Sequence, residues 1–237
     1  MSAGKTCLIL GATGQVGSTL MKELVASNVF TKIGEFGRKN TPLDKLPPGG
    51  KDKVEQHVID FEKLEAAGMK EGKWDVIFIA MGTNRKAAGS QEAFEKIDRE
   101  YVINAAKAAR VEGHNQRLVY VSTFNADVNA SLPYFKSKGI TEVGLANVGY
   151  DDTIVFRPGF LGGTNRDHFR LGESIAVGLT RTFFSTGYHI MLPTLAKGLR
   201  IAGEVGTAGL PVKTTQEGKE GAKFTLVLNP AALQLGK

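Results

Sequence analysis

The stretch Thr6-Cys-Leu-Ile-Leu-Gly-Ala-Thr-Gly-Gln-Val-Gly-Ser-Thr-Leu20 decides the fold. Leu8 to Leu10 is a short apolar run, and it ends in Gly11, Gly14 and Gly17. Leu20, Leu24 and Val25 then recur at helical spacing. Strand, tight turn and helix in that order are the opening of a dinucleotide-binding unit. Gly11 permits the turn, Gly14 lets a pyrophosphate approach the backbone, and Gly17 lets the helix pack close to the strand. The helix start offers free N–H groups and a positive dipole end to phosphate.

Outward from this unit, strand and helix patterns alternate. Strands are predicted over Thr6–Leu10, Lys32–Gly37, Glu55–Ile59, Asp75–Ala80, Arg117–Ser122 and Thr153–Arg157. Helices are predicted over Val16–Ser27, Ser90–Ala109 and Tyr134–Asn147, with a short helical segment after Asp60. Phe94, Ile97, Tyr101, Val102 and Ala105 mark the apolar face of the second helix. A Pro/Gly-rich loop is expected over Asn40–Lys53. Beyond Gly163 the pattern weakens: Arg166–Ser185 and Pro193–Glu204 read as helical and Ala222–Leu228 as a late strand. Repeated β-α units imply an α/β, Rossmann-type, doubly wound parallel sheet. The chain is expected to be one domain over 1–237, with a small C-terminal, substrate-side elaboration from about residue 165.

The bulk numbers narrow the function. The 237 residues are 42% hydrophobic and 23% charged, with a net charge of +6. The mild basic bias suits anionic ligands such as a phosphorylated cofactor. No Lys/Arg block stands out, and one cysteine excludes zinc-finger spacing, so nucleic acid is not an expected partner. Cys7 lies in the first strand and reads as a small buried hydrophobe. No run of 18 apolar residues exists, so no spanning helix is expected. With only Met1 to Lys5 ahead of the first strand, no presequence is expected either.

Further positions fall where a dinucleotide site needs them. Arg38 and Lys39 follow strand 2, where an acid would bind ribose hydroxyls and Arg accommodates a 2′-phosphate. Glu35 stands two residues too early for the acidic role. The expected cofactor is therefore NADP(H). Asp60 ends strand 3, placed either to accept from the adenine amino group or to cap the next segment; Phe61 would flank the ring. Met81, Gly82 and Thr83 follow strand 4, and Gly82 lets the backbone approach the middle of the cofactor. Tyr134 and Lys138, at i and i+4, share a helix face. Lys138 favours the phenolate, and Tyr134 is placed to pass a proton to a carbonyl oxygen as hydride reaches carbon. Ser122 or Thr123 would hydrogen-bond that oxygen. No metal site is expected.

These residues together resemble the atypical branch of the short-chain dehydrogenase/reductase superfamily, and within it the Tat-interacting protein family and its fungal mitochondrial oxidoreductase relatives. The carriers are Leu10-Gly-Ala-Thr-Gly-Gln-Val-Gly17, Gly37-Arg38, Val58-Ile-Asp-Phe-Glu-Lys-Leu64, Gly82-Thr-Asn-Arg-Lys-Ala-Ala-Gly89, Lys96-Ile-Asp-Arg-Glu-Tyr-Val102, Tyr134-Phe-Lys-Ser-Lys-Gly139 and Phe156-Arg-Pro-Gly159. The resemblance spans roughly residues 5 to 175. It implies cofactor contacts at Thr13, Gly14, Val16, Arg38, Lys39, Met81, Gly82, Leu161 and Arg170; Gln15, Lys138 and Pro158 are expected to border the cofactor as well. It implies Tyr134 as the proton donor with Lys138 as its partner. Thr123-Phe-Asn125 replaces the usual Ser-x-Gly, which leaves the hydroxyl partner open between Ser122 and Thr123. Two functions are expected as alternatives: an NADPH-dependent reductase of a small carbonyl substrate, or an NADPH-binding regulatory or assembly protein with protein partners and little turnover. The resemblance implies a monomer or homodimer, located in the cytoplasm or peripherally on the mitochondrial outer membrane. Phe183-Phe184 and Ile190-Met-Leu192 are the candidate membrane contacts, with pocket or dimer packing as the stronger alternative.

Overall fold

A computed structural model describes residues 4–163 and 188–237. β1 (Lys5–Leu10) pairs in parallel with β2 (Phe30–Gly37) on one side and β4 (Val76–Ile79) on the other. Being central, β1 and β4 have no solvent face, and Leu8, Ile9, Ile77 and Phe78 are completely buried. β3 (Val54–Val58), β5 (Arg117–Val121), β6 (Asp152–Arg157), β9 (Thr215–Lys219) and β10 (Ala222–Leu228) complete an eight-stranded sheet in the order β3-β2-β1-β4-β5-β6-β10-β9. Only β9 runs antiparallel. The first six strands follow the doubly wound dinucleotide-binding order, which reverses direction at β1/β4. The expected α/β Rossmann-type class is therefore the one observed.

Two helical layers cover the sheet. On one face α1 (Gln15–Ala26) packs beside α7 (Leu192–Gly209), burying Leu20, Leu24, Leu195 and Leu199 against Phe78 and Phe156. Close approach needs glycine: a Cβ at Gly203 would stand 2.2 Å from the Phe78 ring. On the other face α5 (Tyr101–Ala109) and α6 (Pro133–Ala146) cover Leu118, Tyr120 and Ile79. Short elements fill the loops: α2 (Gly50–Lys53), a 3₁₀ turn (Leu64–Ala66), α3 (Arg85–Ala88), α4 (Gln91–Glu95) and α8 (Asn229–Leu235). β7 (Phe160–Gly162) and β8 (His189–Met191) form a separate two-stranded sheet.

The structure corrects several sequence expectations. The helix expected over Ser90–Ala109 is three segments, because Lys96–Glu100 winds as a π-helix between α4 and α5. The extra residue turns Ile97 and Tyr101 out of the core stripe, while Phe94, Val102 and Ala105 stay buried. The loop expected over Asn40–Lys53 ends in α2, and Gly49 at its start adopts a positive φ of 79°. β9 carries no apolar signal because all five of its residues are exposed on the sheet edge. In the Ile190–Leu192 segment, Ile190 and Leu192 are buried and only Met191 is exposed. Ile190 and Leu192 therefore belong to the core. The helix expected over Arg166–Ser185, Arg170 and Phe183-Phe184 lie outside the described residues.

Candidate dinucleotide groove and catalytic cluster

The turn after β1 opens a groove along the carboxyl edge of the sheet. Gly11 adopts a φ of 87°, and a Cβ there would meet the Met81 nitrogen at 2.7 Å. At Gly17 a Cβ would stand 2.0 Å from the Gly11 carbonyl oxygen, so α1 rests directly on the turn. Gly14 begins α1 without a side-chain cap, and the first turn holds no acidic residue. The free N–H groups of that turn, at the positive end of a 12-residue helix, form an anion cradle. The groove encloses about 420 Å³. Its wall includes Thr13, Gly14, Arg38, Lys39, Phe61 and Gly82. Met81 and Thr83 also line it, together with Ala12, Glu35, Ile97 and Tyr101, which the sequence did not single out as site residues.

The charge at the end of β2 is organised by Glu35. Its buried carboxylate accepts from the Thr41 N–H at 2.8 Å, the Thr41 hydroxyl at 2.7 Å and the Gln56 amide at 2.7 Å. All three donors belong to the protein, and together they fold the turn that presents Arg38 and Lys39. Both basic side chains are exposed and form no ion pair among the described residues. At the neighbouring wall Phe61 stacks on Tyr101, ring centroids 5.2 Å apart. The Tyr101 hydroxyl donates a short hydrogen bond to Glu62. Lys96 pairs with Glu62 at 2.6 Å. These two donors, Lys96 first, hold the Glu62 carboxyl below its usual range. Asp60 is exposed and its carboxylate accepts from the Glu62 N–H at 2.9 Å within the turn after β3; it does not cap the 3₁₀ segment, whose N-cap position is Lys63, and the groove wall at this point is Phe61.

α6 brings the second cluster to the groove. Pro133 occupies its first turn, where the missing N–H costs nothing. Tyr134 is half-buried, packed against Phe94 and Phe135, with ring centroids 5.8 and 5.5 Å away. Its hydroxyl makes no hydrogen bond among the described residues. One turn on, Lys138 is buried. Its ammonium donates to the Tyr120 hydroxyl at 3.1 Å and meets Asp98 Oδ1 at 3.1 Å. A Cβ on Gly82 would lie 3.3 Å from Lys138 Nζ and 3.0 Å from Asp98 Oδ1, which puts the cluster at the groove floor. Asp98 Oδ1 also accepts from the Thr83 N–H at 3.2 Å. Burial works against the Lys138 charge, but its polar partners Tyr120 and Asp98 outweigh that and hold the lysine above its ordinary value. Burial pushes the Tyr120 phenol up as well.

Asp98 is the functional candidate that sequence reasoning missed. The available signal was an acidic residue in the otherwise apolar-faced helix, within Lys96-Ile-Asp-Arg-Glu-Tyr-Val102. The two hydroxyls after β5 differ in surroundings. Ser122 is buried near Glu142, and its Oγ has no hydrogen-bond partner among the described residues. Glu142 is in turn clamped by Arg157 at 2.6 Å. Thr123 is buried at the strand end. Pro158 accepts the Phe124 N–H at 3.0 Å, and Leu161 lies in β7; neither lines the groove. Gln15 and Val16 form the first turn of α1.

The residues present fit a dinucleotide. The glycine cradle, the uncapped helix start and the exposed Arg38 and Lys39 give places for a pyrophosphate and a further phosphate, and Phe61 with Tyr101 gives an apolar face for a base. Comparisons with known proteins agree. A profile of the NAD(P)H-binding family matches residues 11–178. Protein HTATIP2 of Rattus norvegicus is 32% identical over 198 residues, covering 82% of this chain and 79% of that protein. The mitochondrial protein FMP52 of Kluyveromyces lactis is 30% identical over 232 residues, covering 97% of this chain and 98% of its own. Among solved structures, the YIR035C short-chain dehydrogenase/reductase of Saccharomyces cerevisiae superposes with a TM-score of 0.65 at 16% identity, over 98% of this chain and 99% of that one. The Bordetella bronchiseptica enzyme WbmF, solved with NAD+, gives a TM-score of 0.63 at 16% identity, over 87% of this chain and 72% of that one. Among the described residues no helix is long and apolar enough to cross a membrane.

Proposed function

This chain belongs to the NAD(P)H-binding family, with HTATIP2 and the FMP52 proteins as relatives, and from that premise we propose that it is an NADPH-dependent reductase of a small carbonyl compound. The observation that carries this reading is the meeting of two sites: Lys138, one turn from Tyr134, lies behind Gly82 of the dinucleotide groove, its Nζ 3.3 Å from where a Cβ there would stand.

The α1 N-terminus holds the pyrophosphate, and Arg38 with Lys39 holds the 2′-phosphate. When bound, the reduced nicotinamide supplies hydride to the carbonyl carbon. Tyr134, whose hydroxyl has no partner among the described residues, gives its proton to the carbonyl oxygen. Ser122 or Thr123, both buried just after β5, donates a hydrogen bond to the same oxygen. Lys138 orients the groove floor and is itself held by Asp98 and Tyr120. The alcohol leaves and Tyr134 regains a proton from water. The test is NADPH oxidation across a panel of aldehydes and ketones; a panel with no turnover would sink the reading.

We read the cofactor as NADPH rather than NADH from Arg38 and Lys39, which line the groove at the end of β2. Glu35 stands two residues earlier, and its carboxylate oxygens accept from Thr41 and Gln56, so they are not offered to ribose hydroxyls as the acid of an NAD site would be. One charge-assisted contact from Arg38 is worth about 1.5–3 kcal/mol, and about 1.4 kcal/mol is tenfold in affinity. Arg38→Ala is therefore expected to erase most of a roughly tenfold or larger NADPH preference while leaving NADH affinity unchanged. Equal losses for both cofactors would show that Arg38 does not read the phosphate.

The mitochondrial names of the FMP52 relatives support a mitochondrial location, which we place at the outer membrane surface by peripheral contact. Imaging of a tagged chain with protease protection of isolated mitochondria distinguishes this from a cytoplasmic pool.

A further inference from the structure

A lysine one turn from a phenol ordinarily draws it toward the phenolate. In this site the Lys138 ammonium is met at 3.1 Å by a carboxylate that has no exposed surface at all. Each element packed on Lys138 can be accounted for. β5 supplies Tyr120 and the π segment supplies Asp98. The turn after β4 supplies Gly82 and Thr83, which do not titrate. α6 itself supplies Tyr134, and Glu142 one turn further acts on Tyr120. The rings packed on Tyr134 are Phe94 and Phe135, both uncharged. One ammonium and one carboxylate are thus enclosed together, and the further buried acid, Glu142, is paired with Arg157 at 2.6 Å.

The carboxylate is placed by backbone geometry. The π segment turns Asp98 inward between half-buried Ile97 and Arg99, where its Oδ1 takes both Lys138 and the Thr83 N–H. Its Oδ2 is buried without a hydrogen-bond partner among the described residues. A solely structural acid at this depth would be expected to have both oxygens satisfied. π turns inside helices also concentrate at functional sites.

We infer that Asp98 is a positioning residue that neutralises Lys138 and so keeps the proton on Tyr134, ready for transfer to a carbonyl oxygen. The inference rests on the reading of Tyr134 as proton donor, but its electrostatic content is measurable without turnover. The ionisation of Tyr134 is read from the tyrosinate ultraviolet absorbance of the full chain, each variant compared with its own Tyr134→Phe counterpart. In Asp98→Asn, an isosteric change that uncovers the Lys138 charge, Tyr134 is expected to ionise about one pH unit or more below its position in the unaltered protein. An unmoved titration in a folded Asp98→Asn protein overturns the inference. Should that variant not fold, Asp98→Asn combined with Lys138→Met removes both charges at once, a change that buried pairs tolerate. The double variant is expected to leave Tyr134 where it was. A shift of about one unit in either direction there means that the pair is not neutral toward Tyr134, and the inference falls. Titrations as expected together with no turnover of any carbonyl would leave the electrostatic assignment standing and remove the reductase reading instead.

Discussion

Replacing Tyr134 with Phe is expected to lower kcat for carbonyl reduction by about 10²–10⁴-fold, the usual contribution of a positioned proton donor. NADPH affinity should stay within about twofold, because no cofactor-holding role falls to the phenol oxygen. The fold should be untouched, since the Tyr134 hydroxyl makes no hydrogen bond among the described residues and its ring contacts with Phe94 and Phe135 survive in Phe. Steady-state kinetics with a NADPH titration of the same protein separates these effects. Unchanged turnover in Tyr134→Phe would assign the proton to another group. A parallel loss of NADPH affinity would mean that the residue binds rather than reacts.

Replacing Lys138 with Met is expected to cost stability as well as activity. Among the described residues, Asp98 would be left as a buried carboxylate with neither a counter-ion nor, at Oδ2, a hydrogen bond. Breaking one side of a buried pair costs about 3–5 kcal/mol. For a chain of this size each kcal/mol is about 2–4 °C in Tm, so a fall on the order of 10 °C is expected by thermal unfolding. Part of that fall should return when Asp98→Asn is added, because the orphaned charge is then gone. A single variant that melts with the unaltered protein would show that the pair contributes nothing net, and the neutralised-lysine description would need revision.

How much of this was legible in the sequence differs by region. The glycine spacing from Gly11 to Gly17 carried the first βαβ unit, because the contacts it predicts are backbone contacts: a Cβ at Gly17 has nowhere to go. The buried strands were equally plain, since Leu8–Leu10 and Val76–Ile79 are apolar without alternation and lie between neighbours on both sides. Edge strand β9 was invisible because an exposed edge selects for polar residues and leaves no hydrophobic trace. The π segment was also invisible. Its signature is one additional residue in a helical repeat, and Phe94, Ile97 and Tyr101 fit an ordinary helix as well as they fit the observed one.

The site divides in the same manner. Tyr134 and Lys138 were legible as a pair because i and i+4 share a helix face whatever the tertiary structure. The partner of Lys138 was not, since Asp98 arrives from 40 positions earlier in the chain, through a helix distortion that local pattern does not encode. The basic turn at Arg38 and Lys39 was legible. What Glu35 does there was not, because its three donors come from Thr41 and from Gln56 on a different strand. Ser122 and Thr123 could not be told apart from sequence; their different neighbours follow from where Glu142 and Arg157 meet.

Central to the account is a groove that holds a 2′-phosphorylated dinucleotide between the α1 N-terminus, Arg38 and the Tyr134–Lys138 face of α6. Isothermal titration of the folded chain with NADPH and with NADH tests it most directly. The account predicts one site per chain, with NADPH bound about tenfold or more tightly than NADH. Absence of binding by either nucleotide at millimolar concentration would contradict it.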